Sequence, residues 1–335
     1  MKTVFIALGF HLQNTKSSLF FIDILKQNIK DLYIVSENDA WYEIPRIKPE
    51  NIIIWQAIFT PEEIDSWKAK TVTIIPMYDA CPHTLDFWGK YKKYKIFCFS
   101  KTLYNFLKGN DFNTFYCQYY IEPNKEIKIN KKDSYNVFYW ERSNKINWEL
   151  VSKLLGNLSI NNIHYHYSTN IKQKNNNFPT NEEIKKFNIN FSDWFETQDE
   201  YIEILKKSDI YIAPREYEGI GLSFIEAMSY GCMVIAYDQP TMNEYIKNNV
   251  NGILFTDKQE PILLSNEEIY DLRINSYNEV KSGWKQWCNS IPDIIEFIES
   301  PLINYSPKRK YLLYTYKRLR TLLRRIFYFF KNKLN

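Results

Sequence analysis

The chain has 335 residues, more than one core of ordinary size needs, so two domains are the expectation. With 45% apolar and 17% aromatic residues it can bury large cores, which excludes an intrinsically disordered chain. The net charge of +4 is uneven: ten Lys or Arg and no acid lie between Lys308 and Lys333, leaving 33 basic against 39 acidic residues elsewhere. Body and tail are therefore expected to meet different partners.

In chain order, apolar runs predict strands at 3–8, 32–35, 51–55, 71–76, 95–99 and 114–118, with helices at 17–28, 61–68 and 101–107. Strand–helix alternation at this spacing implies right-handed crossovers and a parallel sheet covered on both faces. The polar segment 122–134 breaks the rhythm and reads as a linker between a first domain, 1–121, and a second, 135–283. There the alternation restarts, with strands expected at 137–140, 163–167, 189–191, 210–213, 233–237 and 252–255. Helices are expected at 148–155, 199–207, 222–230 and 242–248, and the asparagine-rich stretch 173–183 reads as a surface loop. Residues 284–300 predict a helix crossing back to the first domain, followed by a basic amphipathic tail at 306–335. The expected fold is α/β, two doubly wound Rossmann-like domains facing each other across a cleft. Ligands then belong at the C-terminal ends of the strands, in that cleft.

The stretch REYEGIGLSFIEAMSYG (215–231) lies where one such strand meets a helix. Gly219 and Gly221 allow close backbone approach, and the amides of Gly219, Ile220, Gly221 and Leu222 lie at the positive helix end, where phosphate is favoured. Glu218 and Glu226, on either side, are acceptors only and suit vicinal hydroxyls. Phosphate and sugar hydroxyls together describe a nucleotide sugar. On spacing alone, the two glutamates also fit a role in complementing the helix dipole.

The wider run 208–255 closely resembles the C-terminal signature of retaining glycosyltransferases of the GT-B fold, family 4 in particular. It carries Pro214 at a strand end, the E-x7-E pair Glu218 and Glu226, Gly231 before Val234-Ile235-Ala236, then Glu244 and Asn251-Gly252. The resemblance implies that Glu226 binds the ribose of the nucleotide and Glu218 faces the donor sugar. It also implies transfer with retention from a nucleotide sugar, UDP-linked before GDP-linked, to a glycan or lipid-linked acceptor in capsule or lipopolysaccharide synthesis. An epimerase or phosphorylase of the same fold, or a non-catalytic nucleotide-sugar binder, are the alternatives.

Several positions depart from that pattern. Arg215 stands where the family usually has serine, and Arg142 and Lys145 are three apart where a basic pair about five apart is common. Arg142, at a strand end, is expected to grip the diphosphate bidentately. Lys145 either joins it or is a solvated lysine opening a helix. Gly9 follows the first strand, where the family often has a glycine-rich loop near donor phosphates and acceptor. Asp79 follows the fourth strand, where the family commonly places a His or His-Asp; it either orients a reacting hydroxyl or caps a helix.

Other features are declined. His164 and His166 alternate on one strand without a carboxylate or cysteine partner at ligand spacing, so packing is the expectation. No D-x-D occurs, so no metal site is expected, and no G-x-G-x-x-G points to NAD. Five scattered cysteines predict free thiols, and no apolar run of about 18 residues predicts a membrane span. A cytoplasmic protein is expected, with no nucleic-acid partner. The tail places Leu312, Tyr316, Leu319, Leu323, Ile326 and Phe330 on one helical face and cations on the other. That pattern predicts docking of residues 308–333 on an anionic membrane surface, at its inner face, with no acidic partner for the cations nearby in sequence; the alternative is a helix packed on the body.

Overall fold

The computed structural model describes residues 1–56, 59–167, 178–258, 260–302, 305–307 and 309–334, with 332–334 described by backbone alone. Contacts divide the chain into two units, Met1–Cys117 with Asn289–Asn335, and Gln118–Cys288.

The first unit contains β1 (Thr3–Ala7), β2 (Leu32–Ser36), β3 (Asn51–Trp55), β4 (Thr71–Ile75), β5 (Lys95–Cys98) and β6 (Thr114–Tyr116). They form one sheet in the order β2-β1-β3-β4-β5-β6, every pair parallel. Strands β1, β3, β4 and β5 are buried at every residue, whereas the edge strand β2 exposes Tyr33 and Ile34. This is the burial that two covered faces impose on parallel strands. Phe5, Phe21, Trp55, Phe97 and Phe99 pack ring on ring, with centroids as close as 4.8 Å. Residues of the opposite parity, such as Val4, Ile6, Ile52 and Ile54, enter a second cluster with Trp41 and Trp67.

The second unit contains β7 (Tyr135–Glu141), β8 (Ile160–Tyr167), β9 (Ile189–Ser192), β10 (Ile210–Ile212), β11 (Met233–Tyr237) and β12 (Gly252–Phe255). Their order is β12-β11-β10-β7-β8-β9, again all parallel. The fold is thus α/β with two doubly wound Rossmann-like sheets, as expected. In each sheet the chain winds outward on one side of its first strand and then on the other. The switch points fall between β1 and β3 and between β7 and β10, and ligands bind at the C-terminal ends of strands there.

Three expectations need correction. The helix expected at 284–300 is the second half of one 34-residue helix, Asn266–Glu299. Its first half buries Ile269, Leu272, Arg273, Ser276 and Val280, two of them polar, so its apolar pattern is thin in sequence. The loop expected at 173–183 lies outside the described residues as far as 177. Its last residues begin a helix, Asn181–Lys186, which a Thr180–Glu183 capping box starts. Segment 122–134 has no regular structure, as a linker should not, but it is fastened: Lys132 donates to the buried Asp209 at 2.8 Å, and Arg273 pairs with the same carboxylate at 2.8 Å.

The third correction concerns the tail. Its helix, Tyr311–Leu334, lies on the first unit, and its cations do find acids. Lys317 pairs with Glu63 at 2.5 Å, Arg325 with Glu43 at 2.8 Å and Asp39 at 3.6 Å, and Lys310 with Glu62 at 3.6 Å. Those acids sit in the helices Ala40–Ile47 and Pro61–Ser66 and just before the first of them, far away in sequence, so no local charge pattern announces the pairing. Tyr314 packs edge-on against Trp41 at 6.0 Å, and Thr321 is buried. The apolar face turns outward instead: Leu312 is 91% exposed and Phe330 58%. Among the described residues, no helix is long and apolar enough to cross a membrane.

Candidate functional site

The switch point of the second unit collects the residues singled out in sequence. β10 ends at Ile212, and Ala213-Pro214 follow; proline, lacking an N–H, cannot extend the ladder. The loop then runs to Gly221, where the helix Leu222–Ser229 starts. Gly221 has φ 86°, and a Cβ there would lie 1.9 Å from the Phe224 ring, so both conformation and space demand glycine. Its N-cap, Gly221, supplies no capping side chain, and the first amides of an α-helix have no acceptor within the helix itself.

Around that helix end the charges alternate in sign. Glu218 holds its backbone amide on the Pro240 carbonyl at 3.3 Å, and its carboxylate lies 4.0 Å from the Arg215 guanidinium. Arg142, just beyond β7, stacks its guanidinium 4.6 Å from the centre of the Trp140 ring. Partial desolvation, then the positive charge of Arg215, lowers its pKa, while Glu218 pulls it upward. Arg142, Arg215 and Glu218 are therefore electrostatic neighbours. One turn into the helix, Glu226 is largely shielded, and burial raises its pKa. The Tyr201 hydroxyl opposes that shift from just outside full hydrogen-bond geometry.

Lys145 is near this group but engaged. It pairs with Glu216 at 3.0 Å and Asp257 at 3.1 Å and lies 4.8 Å from the Tyr237 ring centre. Hydrogen bonds to Glu216, Tyr237 and Asp257 raise its pKa. A phosphate would have to draw it out of this cluster. His164 and His166 share the Ser192 hydroxyl at 2.8 and 2.7 Å, and His166 stacks on Phe195 at 4.1 Å. Burial lowers both pKa values, His166 to about 4, which fits neutral packing residues.

The first unit's strand ends are different. The Gly9 amide donates to the Glu37 carboxylate at 2.6 Å, so an anion at that amide would displace a side chain of its own sign. His11 begins a π-type turn, His11–Thr15, and bonds Thr15 at 2.8 Å. Desolvation lowers its pKa, and Asp79 and then Glu37 oppose this, which places the three side chains close together. Asp79 lies exposed inside the short turn Tyr78–Ala80, not at a helix cap. Beside it His83 stacks on Tyr78, with ring centres 4.1 Å apart.

Sequence reasoning missed Arg215 as a site member, treating it as a departure, and missed Glu216, Asp257, His11 and Glu37. Position would have found two of them: Asp257 is two residues past β12, and Glu37 is the first residue past β2. All five cysteines are unbridged. No cluster of three or more His, Cys, Asp or Glu among the described residues is placed to hold a metal ion.

The topology is that of the GT-B fold, two doubly wound parallel sheets. Residues 124–269, which fall within the second unit, match the family described as Glycosyl transferases group 1. A curated relative, described as an uncharacterized 41.2 kDa protein in the cps region of Klebsiella pneumoniae, is 27% identical over 126 residues. That match covers 37% of this chain and 32% of the relative, about a third of its length. Among solved structures, Anabaena HepE in complex with UDP and glucose superposes with TM-score 0.57 at 12% identity, over 88% of this chain and all of that one. The lipopolysaccharide outer core galactosyltransferase WaaB superposes with TM-score 0.55 at 14% identity, over 97% and 100%. These structural likenesses concern the fold.

Proposed function

We propose that the protein is a retaining hexosyltransferase that takes a sugar from a nucleotide donor, UDP-linked before GDP-linked, without a metal ion. The observation that carries this reading is the pair Glu218 and Glu226 flanking an uncapped helix end beside Arg142 and Arg215. The amides of Gly219 to Leu222 and the Arg142 guanidinium take the diphosphate, with Lys145 joining if it leaves its carboxylates. Glu226 accepts from the ribose hydroxyls, and Glu218 from the donor sugar. The bond from the anomeric carbon to the diphosphate oxygen breaks, and the acceptor oxygen bonds to that carbon on the same face. The acceptor proton passes to the departing phosphate oxygen. Two arginines and a helix end supply positive charge where the leaving group gains electrons, which supports catalysis without a metal. On the first unit, Asp79 orients the acceptor hydroxyl, and Gly9 lines the same region.

A UDP donor is supported by the HepE complexes with UDP. Surface-polysaccharide synthesis, with a glycan or lipid-linked acceptor, is supported by the cps-region relative and the WaaB likeness. The outward apolar face of the tail supports work at the inner face of an anionic membrane. Glu226→Ala should weaken nucleotide-sugar binding by about 1.5 to 3 kcal/mol, and Glu218→Ala should mainly lower kcat. Asp79→Asn should slow turnover and leave the unfolding midpoint alone. Near-wild-type kinetics in both glutamate variants would end this reading.

A further inference from the structure

Between the tail helix and the strand ends of the first unit lies a polar cavity of about 550 Å³. Lys317, Arg320 and Arg324 line one wall, and Glu37, Asn38 and Glu63 the other, with Trp41 and Tyr328 among the remaining residues. The charges do not cancel. Glu63 is spent on Lys317, and Glu37 accepts from the Gly9 amide at 2.6 Å and from Asn38 at 2.7 Å. Arg324 donates to the neutral Asn38 side chain and sits over the Tyr328 ring, and Arg320 pairs with no carboxylate among the described residues. Lys317 and Glu63 offset each other and Glu37 keeps its charge, so Arg320 and Arg324 leave the cavity net positive, and guanidiniums favour phosphate oxygens in paired hydrogen bonds.

The same helix supplies the second observation. At about 100° per residue, Leu312, Tyr316, Leu319, Leu323, Ile326 and Phe330 form a stripe turned away from the docked side, and each is more than 40% exposed. Arg320 and Arg324 lie along one flank of that stripe, and Arg318 along the other. An anionic head entering the cavity from this flank would bring its hydrocarbon chains to the stripe.

We propose that this cavity binds the phosphate-bearing head of a membrane lipid, a phosphomonoester or diphosphate, held by Arg320 and Arg324 while the apolar stripe enters the bilayer. The proposal rests on the reading of the protein as a transferase with a lipid-linked acceptor. It gives that acceptor's phosphate a place, and the chain Arg324–Asn38–Glu37–Gly9 leads from the cavity to the strand ends near His11 and Asp79.

The test is flotation of the full chain with phosphatidylcholine vesicles carrying either phosphatidic acid or phosphatidylglycerol at equal surface charge. Wild type should bind the phosphomonoester vesicles about tenfold more tightly or better, as charge-assisted hydrogen bonds to two guanidiniums imply. R320A/R324A should lose that preference yet keep its phosphatidylglycerol binding through the stripe. Arg318→Ala should weaken both equally. Equal affinity of wild type for the two surfaces, or loss of all binding in R320A/R324A with its unfolding midpoint intact, would overturn the proposal. Inorganic pyrophosphate should compete for the arginines more weakly than the lipid, because it lacks the chains that reach the stripe; tighter binding of pyrophosphate than of phosphatidic acid vesicles would make this a site for a free phosphate and overturn the proposal. UDP binding measured on the same preparations separates the two claims: selective flotation with no UDP affinity sinks the transferase reading, and the reverse sinks this one.

Discussion

Both sheets are doubly wound, one in the order β2-β1-β3-β4-β5-β6 and the other β9-β8-β7-β10-β11-β12, yet their switch points carry different electrostatics. Between β7 and β10 stand two arginines and an uncapped helix end, with the glutamates set to either side. Between β1 and β3 the one glycine amide already holds Glu37, and His11 and Asp79 complete a largely acidic group. The doubly wound sheet supplies a place for a ligand, and the loops decide its charge. The site with two arginines and a helix end suits a diphosphate beside sugar hydroxyls; the group of Glu37, His11 and Asp79 suits hydroxyls.

Charge at the basic site should matter most. If Arg142 holds the leaving group as proposed, Arg142→Ala should lower kcat/KM by about 100-fold or more, with the unfolding midpoint changed little. A loss below about threefold would leave the diphosphate without its expected partner.

The two glycines give a matched pair. Gly221→Ala places a methyl 1.9 Å from Phe224 at a positive φ, so it should destabilise the protein by about 1 to 3 kcal/mol and weaken nucleotide binding. Gly9→Ala would sit 3.7 Å from Glu37, an ordinary contact, and should leave stability within about 0.5 kcal/mol. Denaturant titrations of the two variants giving equal losses would erase the contrast.

The smallest effect is a pH dependence. Burial raises the pKa of Glu226 in the free protein, and hydroxyl donors to the ionised carboxylate should lower it on binding. A proton is then released when the nucleotide binds, so affinity should rise with pH through the window between the bound and free pKa values. The gain is up to about tenfold for each pKa unit separating them. Affinity flat with pH in wild type, or the same slope in Glu226→Gln, would detach Glu226 from the ribose.

The same contrast explains what was legible in the sequence. The twelve described strands could all be read, the central ones because covered parallel strands are apolar runs, while the edge strand β2 and the strands β8 and β9 carry a more broken pattern. The loop after β10 was legible because its glycines, carboxylates and helix are contiguous from Arg215 to Glu226. The ion pairs of Lys145 with Asp257, and of the tail with Glu43 and Glu63, join residues far apart in sequence, and nothing local marks them. The helix Ala40–Ile47 went unseen because Pro45 lies within it, close enough to its end to be tolerated. The tail's amphipathic face was correctly placed, but its cationic side docks on the first unit instead of lying free.

The most direct test of the central claim is hydrogen exchange of the full chain with and without saturating UDP, read peptide by peptide. Bound UDP should slow exchange in residues 141–147 and 214–226, and leave 8–16 and 76–84 as they were. Protection confined to the β1 and β4 loops, or none in 214–226 at saturation, would contradict it.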